Sequence, residues 1–154
     1  MQSNNQQNNS ISYEVDRENY LNMIQDIIKR MADNSFAMKN WCIAVSSGLF
    51  GINTWKEENW KAYLLLLIPI IMFWYLDSYY LRQERLFRGV YDRVRKMSDD
   101  EINNSNYSLI PPQKRTAEYK DTYKMKNVFF SLTELCFYGV LILLGFFICL
   151  VLFL

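Results

Sequence analysis

The chain has 154 residues, of which 51% are hydrophobic and 16% aromatic, and its formal net charge is +1. Its mean hydropathy is only -0.13, because the apolar residues are concentrated in blocks that strongly polar segments separate. This profile is typical of an integral membrane protein. The sequence contains no histidine, and its three cysteines stand apart inside apolar runs, so neither a zinc site nor a disulfide framework is expected.

The amino-terminal third changes character near residue 13. Residues 1–12 are uncharged and rich in Asn, Gln and Ser, which predicts a disordered leader. In residues 13–34 the apolar side chains recur at spacings of three and four, which predicts a cytoplasmic amphipathic helix. Its apolar face either lies in the membrane interface or packs on another helix. The mixed charge of its polar face favours packing.

Three apolar stretches are long enough to cross a bilayer, which takes about 20 helical residues. Residues 35–81 predict a transmembrane hairpin with spans at 35–55 and 60–81, and residues 127–154 predict a third span. The second span is expected to continue as a polar-faced stalk to Met97, within a basic cytoplasmic helix and loop at 82–126. The predicted fold is therefore an all-α integral membrane protein with three transmembrane helices, an amino-terminal amphipathic helix and a long cytoplasmic extension of the second span.

Basic residues predict the orientation of these spans. Of the 17 Lys and Arg residues, eleven lie between Arg82 and Lys126. By the positive-inside rule the amino terminus and this loop are cytoplasmic, and the carboxyl terminus is outside.

Two features of the hairpin bear on how its helices pack. Small residues four apart allow close helix approach and predict helix packing in a homo-oligomer; they are the pairs Ala44 with Gly48 and Ser47 with Gly51. Pro69 removes a backbone hydrogen bond, which makes it a hinge candidate or the site of a static kink.

Three charged residues fall inside the predicted spans at a similar depth: Lys39, Asp77 and Glu134. An ionisable group at that depth costs a few kcal/mol unless it is paired or hydrated. One interpretation is a helix-packing clip in which the lysine pairs with a carboxylate. The other is a polar ring that lines a pore or its gate in an oligomer.

The stalk carries a basic stripe, which we define as Arg82, Arg85, Arg88, Arg93, Arg95 and Lys96. These residues either touch lipid headgroups or form a cytoplasmic anion site for nucleotide or oligonucleotide phosphates when several copies assemble. The sequence provides no nucleophile with a histidine base, no phosphate-binding glycine loop and no metal cluster. We therefore expect a protein that is not an enzyme and that needs no cofactor.

Two segments carry a family resemblance: RMADNSFAMKNW at residues 30–41 and FWYLDSYYLRQERLFRGVYDRVR at residues 73–95. They resemble the RipA-like group of small, octameric bacterial inner-membrane proteins. The layout from about residue 20 to residue 96 is also similar to the SLATT effectors of antiphage defence.

The SLATT resemblance implies a homo-oligomeric pore that depolarises the inner membrane when a nucleotide or oligonucleotide signal, or a sensor protein, releases it. Membrane lipids and further copies of the chain would be its other partners, and no double-stranded nucleic acid is expected. A non-conducting scaffold or adaptor for another membrane complex is the alternative. The third predicted span departs from the two-span SLATT plan.

Overall fold

The computed structural model describes residues 2–54, 67–104 and 123–153 of the chain. These residues form five helices: α1 (Gln2–Thr54), α2 (Leu67–Lys96), α3 (Asp99–Asn104), α4 (Met125–Phe129) and α5 (Leu132–Phe153). The described ranges contain no strand, so the predicted all-α class is confirmed there. Within the same ranges, none of the helices combines the length and the hydropathy that crossing a membrane requires.

Helix α1 differs from the prediction at both of its expected boundaries. Residues 2–12 of the predicted leader (1–12) and the amphipathic segment, residues 13–34, belong to one helix with residues 35–54 of the first predicted span. No proline or glycine interrupts the chain between Gln2 and Ser47, and adding a residue to an existing helix costs much less than starting a new one. The result is a helix of 53 residues, about 80 Å long at about 1.5 Å per residue.

Helix α2 covers most of the predicted second span and stalk. Residues 60–66, where that span was expected to begin, lie outside the described residues, as does most of the predicted loop, 105–122. Pro69 is the third described residue of α2, and residue 65, whose carbonyl a backbone N–H at position 69 would bond within a helix, lies outside the described residues. Its predicted role as a hinge or static kink therefore stays a prediction.

The third predicted span, 127–154, begins later than expected. A turn at Phe130 and Ser131 divides it into α4 and α5. The Phe130 N–H donates to the Lys126 carbonyl at 3.1 Å and closes α4, while the Ser131 carbonyl accepts the Leu135 N–H at 2.9 Å and opens α5. Serine is favoured where a helix begins, which gives a local reason for the break.

Helices α1 and α2 run antiparallel and pack through an apolar cluster that we call the stalk cluster. Its buried members come from α1, α2 and α3, and they are Tyr20, Ile24, Val90, Val94 and Ile102. The predicted packing of the amphipathic segment on the stalk is therefore confirmed. A capping box begins α3: the Ser98 N–H donates to Glu101 Oε2 at 2.9 Å, and the Glu101 N–H donates to Ser98 Oγ at 3.4 Å.

A second apolar cluster, the three-helix cluster, joins α1, α2 and α5. Its buried members are Cys42, Ile70 and Tyr138, with partly buried Phe73, Trp74, Phe137, Leu141 and Ile142 around them. Helix α5 therefore docks on the α1–α2 pair at the end opposite the stalk cluster. The candidate site lies beside this second cluster.

The stalk cluster predicts the cost of truncating Ile24. Ile24 is fully buried, so Ile24→Ala should reduce the free energy of unfolding by about 2–4 kcal/mol through lost burial and a residual cavity. The neighbouring Met23 is 43% exposed, and Met23→Ala should change it by no more than about 0.5 kcal/mol. Chemical unfolding followed by circular dichroism measures both values. Equal losses in the two variants would contradict this packing.

Candidate functional site: a buried charge cluster

Three helices contribute polar side chains to one buried cluster, which we call the charge cluster. Helix α1 supplies Ser35 and Lys39, α2 supplies Asp77, and α5 supplies Glu134 and Tyr138. Each of the two pairs is four residues apart along its helix, so its members lie on the same face one turn apart. The charge cluster is therefore a product of helix packing.

Asp77 is the centre of the charge cluster. It is fully buried and accepts three hydrogen bonds: Ser35 Oγ donates to Oδ1, while Lys39 Nζ and Tyr138 Oη donate to Oδ2, the latter at 3.0 Å. A buried carboxylate is costly unless it is both paired and hydrogen-bonded. Asp77 meets both conditions, and its partners come from both of the other helices.

Lys39 joins the two carboxylates. Its Nζ binds Asp77 and also lies 3.1 Å from Glu134 Oε1, so one ammonium group holds all three helices together. The Lys39 side chain is 23% exposed, whereas Asp77 and Glu134 are fully buried. The lysine thus reaches the carboxylates from the edge of the helix bundle.

Glu134 is less completely bonded than Asp77. Its Oε2 is buried and has no hydrogen-bond partner among the described residues. Ser78 Oγ, next to Asp77 in the chain, is also buried and also has no hydrogen-bond partner among the described residues. Formally, the charge cluster contains one positive and two negative side chains.

Aromatic stacking fixes α4 and α5 beside the charge cluster. The Trp74 ring stacks on Phe129 at 4.1 Å between centroids and on Tyr138 at 5.7 Å. Trp74 Nε1 also donates to the Phe129 carbonyl at 3.1 Å, which satisfies the indole and ties the end of α4 to α2. The turn that begins α5 is thereby positioned so that Glu134 and Tyr138 face the interior.

The structure brings the three candidate pore residues together within a single chain. Lys39, Asp77 and Glu134 bind one another between the helices, which is the geometry of the predicted helix-packing clip. Their role in a pore or gate stays a prediction. Two members of the charge cluster, Ser35 and Tyr138, were not among the predicted site residues, although their spacing of four from Lys39 and Glu134 is a signal that could have found them.

Parts of the basic stripe already bind groups of the same chain. Arg82 Nε donates to the Tyr123 carbonyl at 2.9 Å, and Arg88 forms an ion pair with Glu84 at 2.7 Å. The Arg95 carbonyl accepts a hydrogen bond from Arg17. Arg85 is half-buried, and the side chains of Arg93, Arg95 and Lys96 are exposed. An anion site on this stripe therefore stays a prediction that needs more than one copy of the chain.

A groove of about 570 Å³ lies between α1 and α2 next to the stripe. Its charged lining residues have mixed signs, and they are Asp26, Lys29, Arg88 and Asp92. Such a lining does not favour an anion over a cation.

The predicted helix-packing residues remain accessible in the protomer, and Ser47 lines a groove between α1, α2 and α5. Ala44, Ser47, Gly48 and Gly51 are all exposed on α1. A Cβ added at Gly48 or Gly51 would meet no atom within 4 Å. Close packing at these two glycines therefore does not occur within the described part of one chain.

Comparison of the chain with protein-family models, with characterised proteins and with solved structures finds no match.

The charge cluster predicts a large difference between two lysines of α1. Lys39→Met should reduce the free energy of unfolding by about 3 kcal/mol or more, because it leaves buried carboxylates without their cation. Lys29 is exposed on the same helix, and Lys29→Met should change stability by no more than about 0.5 kcal/mol. Thermal or chemical unfolding of the purified variants measures this. A Lys39→Met variant as stable as the wild type would show that the ion pairs do not hold the helices.

Proposed function

We propose that the chain is a membrane-embedded homo-oligomer that controls ion passage, and that the charge cluster is the lock of its closed form. The observation that carries the proposal is a buried charge cluster inside helices whose outer surfaces are apolar. Buried ionisable groups in such surroundings are expensive, and in membrane proteins they commonly mark ion or proton pathways.

The outer surface around the three-helix cluster supports a membrane environment. Large apolar side chains on α1, α2 and α5 are exposed there, among them Phe36, Trp41, Ile52, Ile68, Met72, Leu143 and Phe146. A soluble monomer rarely exposes contiguous apolar patches of more than a few hundred Å². Lipid, or lipid together with further copies of the chain, would cover this surface.

The basic residues near the carboxyl end of α2 support the proposed orientation. The part of α2 that carries Arg93, Arg95 and Lys96 lies at the stalk cluster, whereas the apolar outer surface lies at the other end of the helices. Basic residues concentrate on the cytoplasmic side of inner-membrane proteins. The stalk would then be cytoplasmic, and the carboxyl end of α5 would lie outside.

Assembly with further copies is supported by the small-residue face of α1. Gly48 has open space where a side chain would be, and Ser47 beside it is exposed. In lipid, such faces let two helices approach closely and replace lipid contacts by helix contacts.

The closed state would depend on Asp77 remaining bonded to α1 and α5. Release of Lys39 or Tyr138 would expose a carboxylate that can attract cations, as carboxylate groups do in cation pathways. The basic stripe lies further along the same helix, so an anion bound there in the oligomer could shift α2 and thereby bias the lock. A role in antiphage defence rests only on the resemblance of the layout to SLATT effectors.

One observation favours a second candidate function, a non-conducting membrane scaffold or adaptor. The three charged side chains bind one another within one chain, and a static clip of this kind needs no pore. Ion flux separates the two candidates.

The proposed lock predicts the effect of a single hydroxyl group. Tyr138→Phe keeps the buried ring and removes the hydrogen bond to Asp77, a bond to a charged group worth about 1.5–3 kcal/mol. The purified oligomer in liposomes with a voltage-sensitive dye should therefore leak ions about tenfold faster as Tyr138→Phe than as wild type. Tyr79→Phe, at an exposed tyrosine of α2, is the matched control and should behave as wild type.

Two outcomes would contradict the proposal. If the wild type and Tyr138→Phe are both inserted and oligomeric but leave liposomes as tight as protein-free ones, the scaffold function is correct. If the wild-type chain is released from cell membranes by alkaline extraction, the membrane location is wrong.

A further inference from the structure

We infer that the charge cluster is a proton-binding site, in which Glu134 carries a proton on Oε2 in the closed form and loses it when α5 loosens. This inference deepens the proposed function, because it names the proton as a ligand of the same cluster. It concerns the protonation of one carboxyl group and requires no ion flux.

The charge cluster contains more acidic than basic side chains. Lys39 supplies one positive charge to Asp77 and Glu134, which carry two negative charges when both are ionised. Both carboxyl groups bind the same ammonium nitrogen, so they lie within a few ångströms of each other. Two carboxylates that share one site do not both ionise readily, since like charges at close range disfavour the ionised form.

The bonding of the two carboxylates decides which of them holds the proton. Asp77 accepts hydrogen bonds from Ser35, Lys39 and Tyr138, all of which stabilise its ionised form. Glu134 accepts only from Lys39 among the described residues, and its Oε2 is fully enclosed without a donor. A negative oxygen in that position would be buried without a donor from the described residues, and a neutral hydroxyl group costs less there than a charge does.

The other groups around Glu134 cannot supply the missing charge. Helix α1 contributes Lys39 and the neutral Cys42 thiol, α2 contributes Asp77, and α5 itself contributes the neutral Tyr138. Helix α4 carries Lys126, whose side chain is exposed. With Glu134 protonated, the cluster contains one ammonium and one carboxylate and is neutral.

Release of the proton would weaken the docking of α5. The Glu134 carboxyl group loses one proton to water and becomes a carboxylate, and no electron is transferred. The cluster then holds one uncompensated negative charge out of water, which favours arrangements in which Glu134 reaches solvent. Rising pH should therefore favour opening, and falling pH should favour the closed form.

The first test is infrared titration of the wild-type protein in nanodiscs, with and without isotope-labelled glutamate. Exposed glutamates have pKa values of about 4.3 and are ionised at neutral pH. We expect a carboxylic-acid carbonyl band that persists at neutral pH, shifts with labelled glutamate and disappears at alkaline pH. The same band should be absent from Glu134→Gln and present in Glu18→Gln, a control at an exposed glutamate of α1.

The second test reports opening through the buried Cys42 thiol, in a background in which Cys136 and Cys149 are replaced by serine. In Glu134→Gln the side-chain amide stands in for the neutral carboxyl group and cannot lose a proton. Thiol ionisation rises with pH in both proteins, so it cancels when the wild-type alkylation rate is divided by the Glu134→Gln rate at the same pH. We expect a ratio near one at acidic pH that rises with pH by up to about tenfold per pH unit, the limit for release of one proton.

A ratio that stays at one across the titration, or a wild-type spectrum without the glutamic-acid band at neutral pH, would overturn the proton site. If Glu134→Gln does not fold, the labelled wild-type spectrum decides alone. Neither readout measures flux, so a proton site without conduction would contradict the proposed function and leave this inference standing.

Discussion

The burial of Asp77 is the constraint on which the rest of the structure depends. Its carboxylate is fully enclosed, and the three donors that stabilise it lie on α1 and α5. A shift of either helix by one turn would move these donors by about 5.4 Å and leave a buried charge unpaired. Apolar contacts tolerate small shifts, but a buried ion pair that loses a partner costs several kcal/mol. The charge cluster therefore selects one register of the three helices.

The two apolar clusters lie at opposite ends of the α1–α2 pair and have different surroundings. The stalk cluster joins α1, α2 and α3 at the basic end, where exposed arginines surround it. The three-helix cluster joins α1, α2 and α5 beside the charge cluster, where the outer surfaces are apolar. One long helix pair thus connects a polar-surfaced end with an apolar-surfaced end, and the buried charges lie between them. This arrangement underlies the proposed coupling between the basic stripe and the lock.

Sequence periodicity was sufficient to predict the helices and their main contact. The spacing of three and four between apolar residues in 13–34 predicted the face of α1 that packs in the stalk cluster, and the depth of Lys39, Asp77 and Glu134 predicted that these residues lie at one level. The partners Ser35 and Tyr138 were missed because a serine and a tyrosine in an apolar helix carry no charge to draw attention to them. Their spacing of four from Lys39 and Glu134 was the available signal, but their hydrogen bonds to Asp77 arise from contacts between distant helices.

The predicted helix boundaries that differ from the structure do so for local reasons. The asparagine- and glutamine-rich start was expected to be irregular, but it extends a helix that is already formed downstream. The break at Ser131 was missed because apolar residues continue on both sides of it and one serine is a weak signal for a helix start. The intrachain partners of Arg82 and Arg88 were missed for another reason. The positive charge of the stripe suggested that it binds an external anion, whereas the Tyr123 carbonyl binds Arg82 and Glu84 binds Arg88.

The central claim is that Lys39 and Asp77 act as one unit, and a double-mutant cycle tests it most directly. The free energy of unfolding is measured for the wild type, Lys39→Met, Asp77→Asn and the double variant under one set of conditions. The account predicts that the double variant is more stable than the two single losses imply, by about 1.5 kcal/mol or more, since removing both charges leaves neither one buried alone. Losses that add to within about 0.5 kcal/mol would contradict it, because independent sites behave in that way.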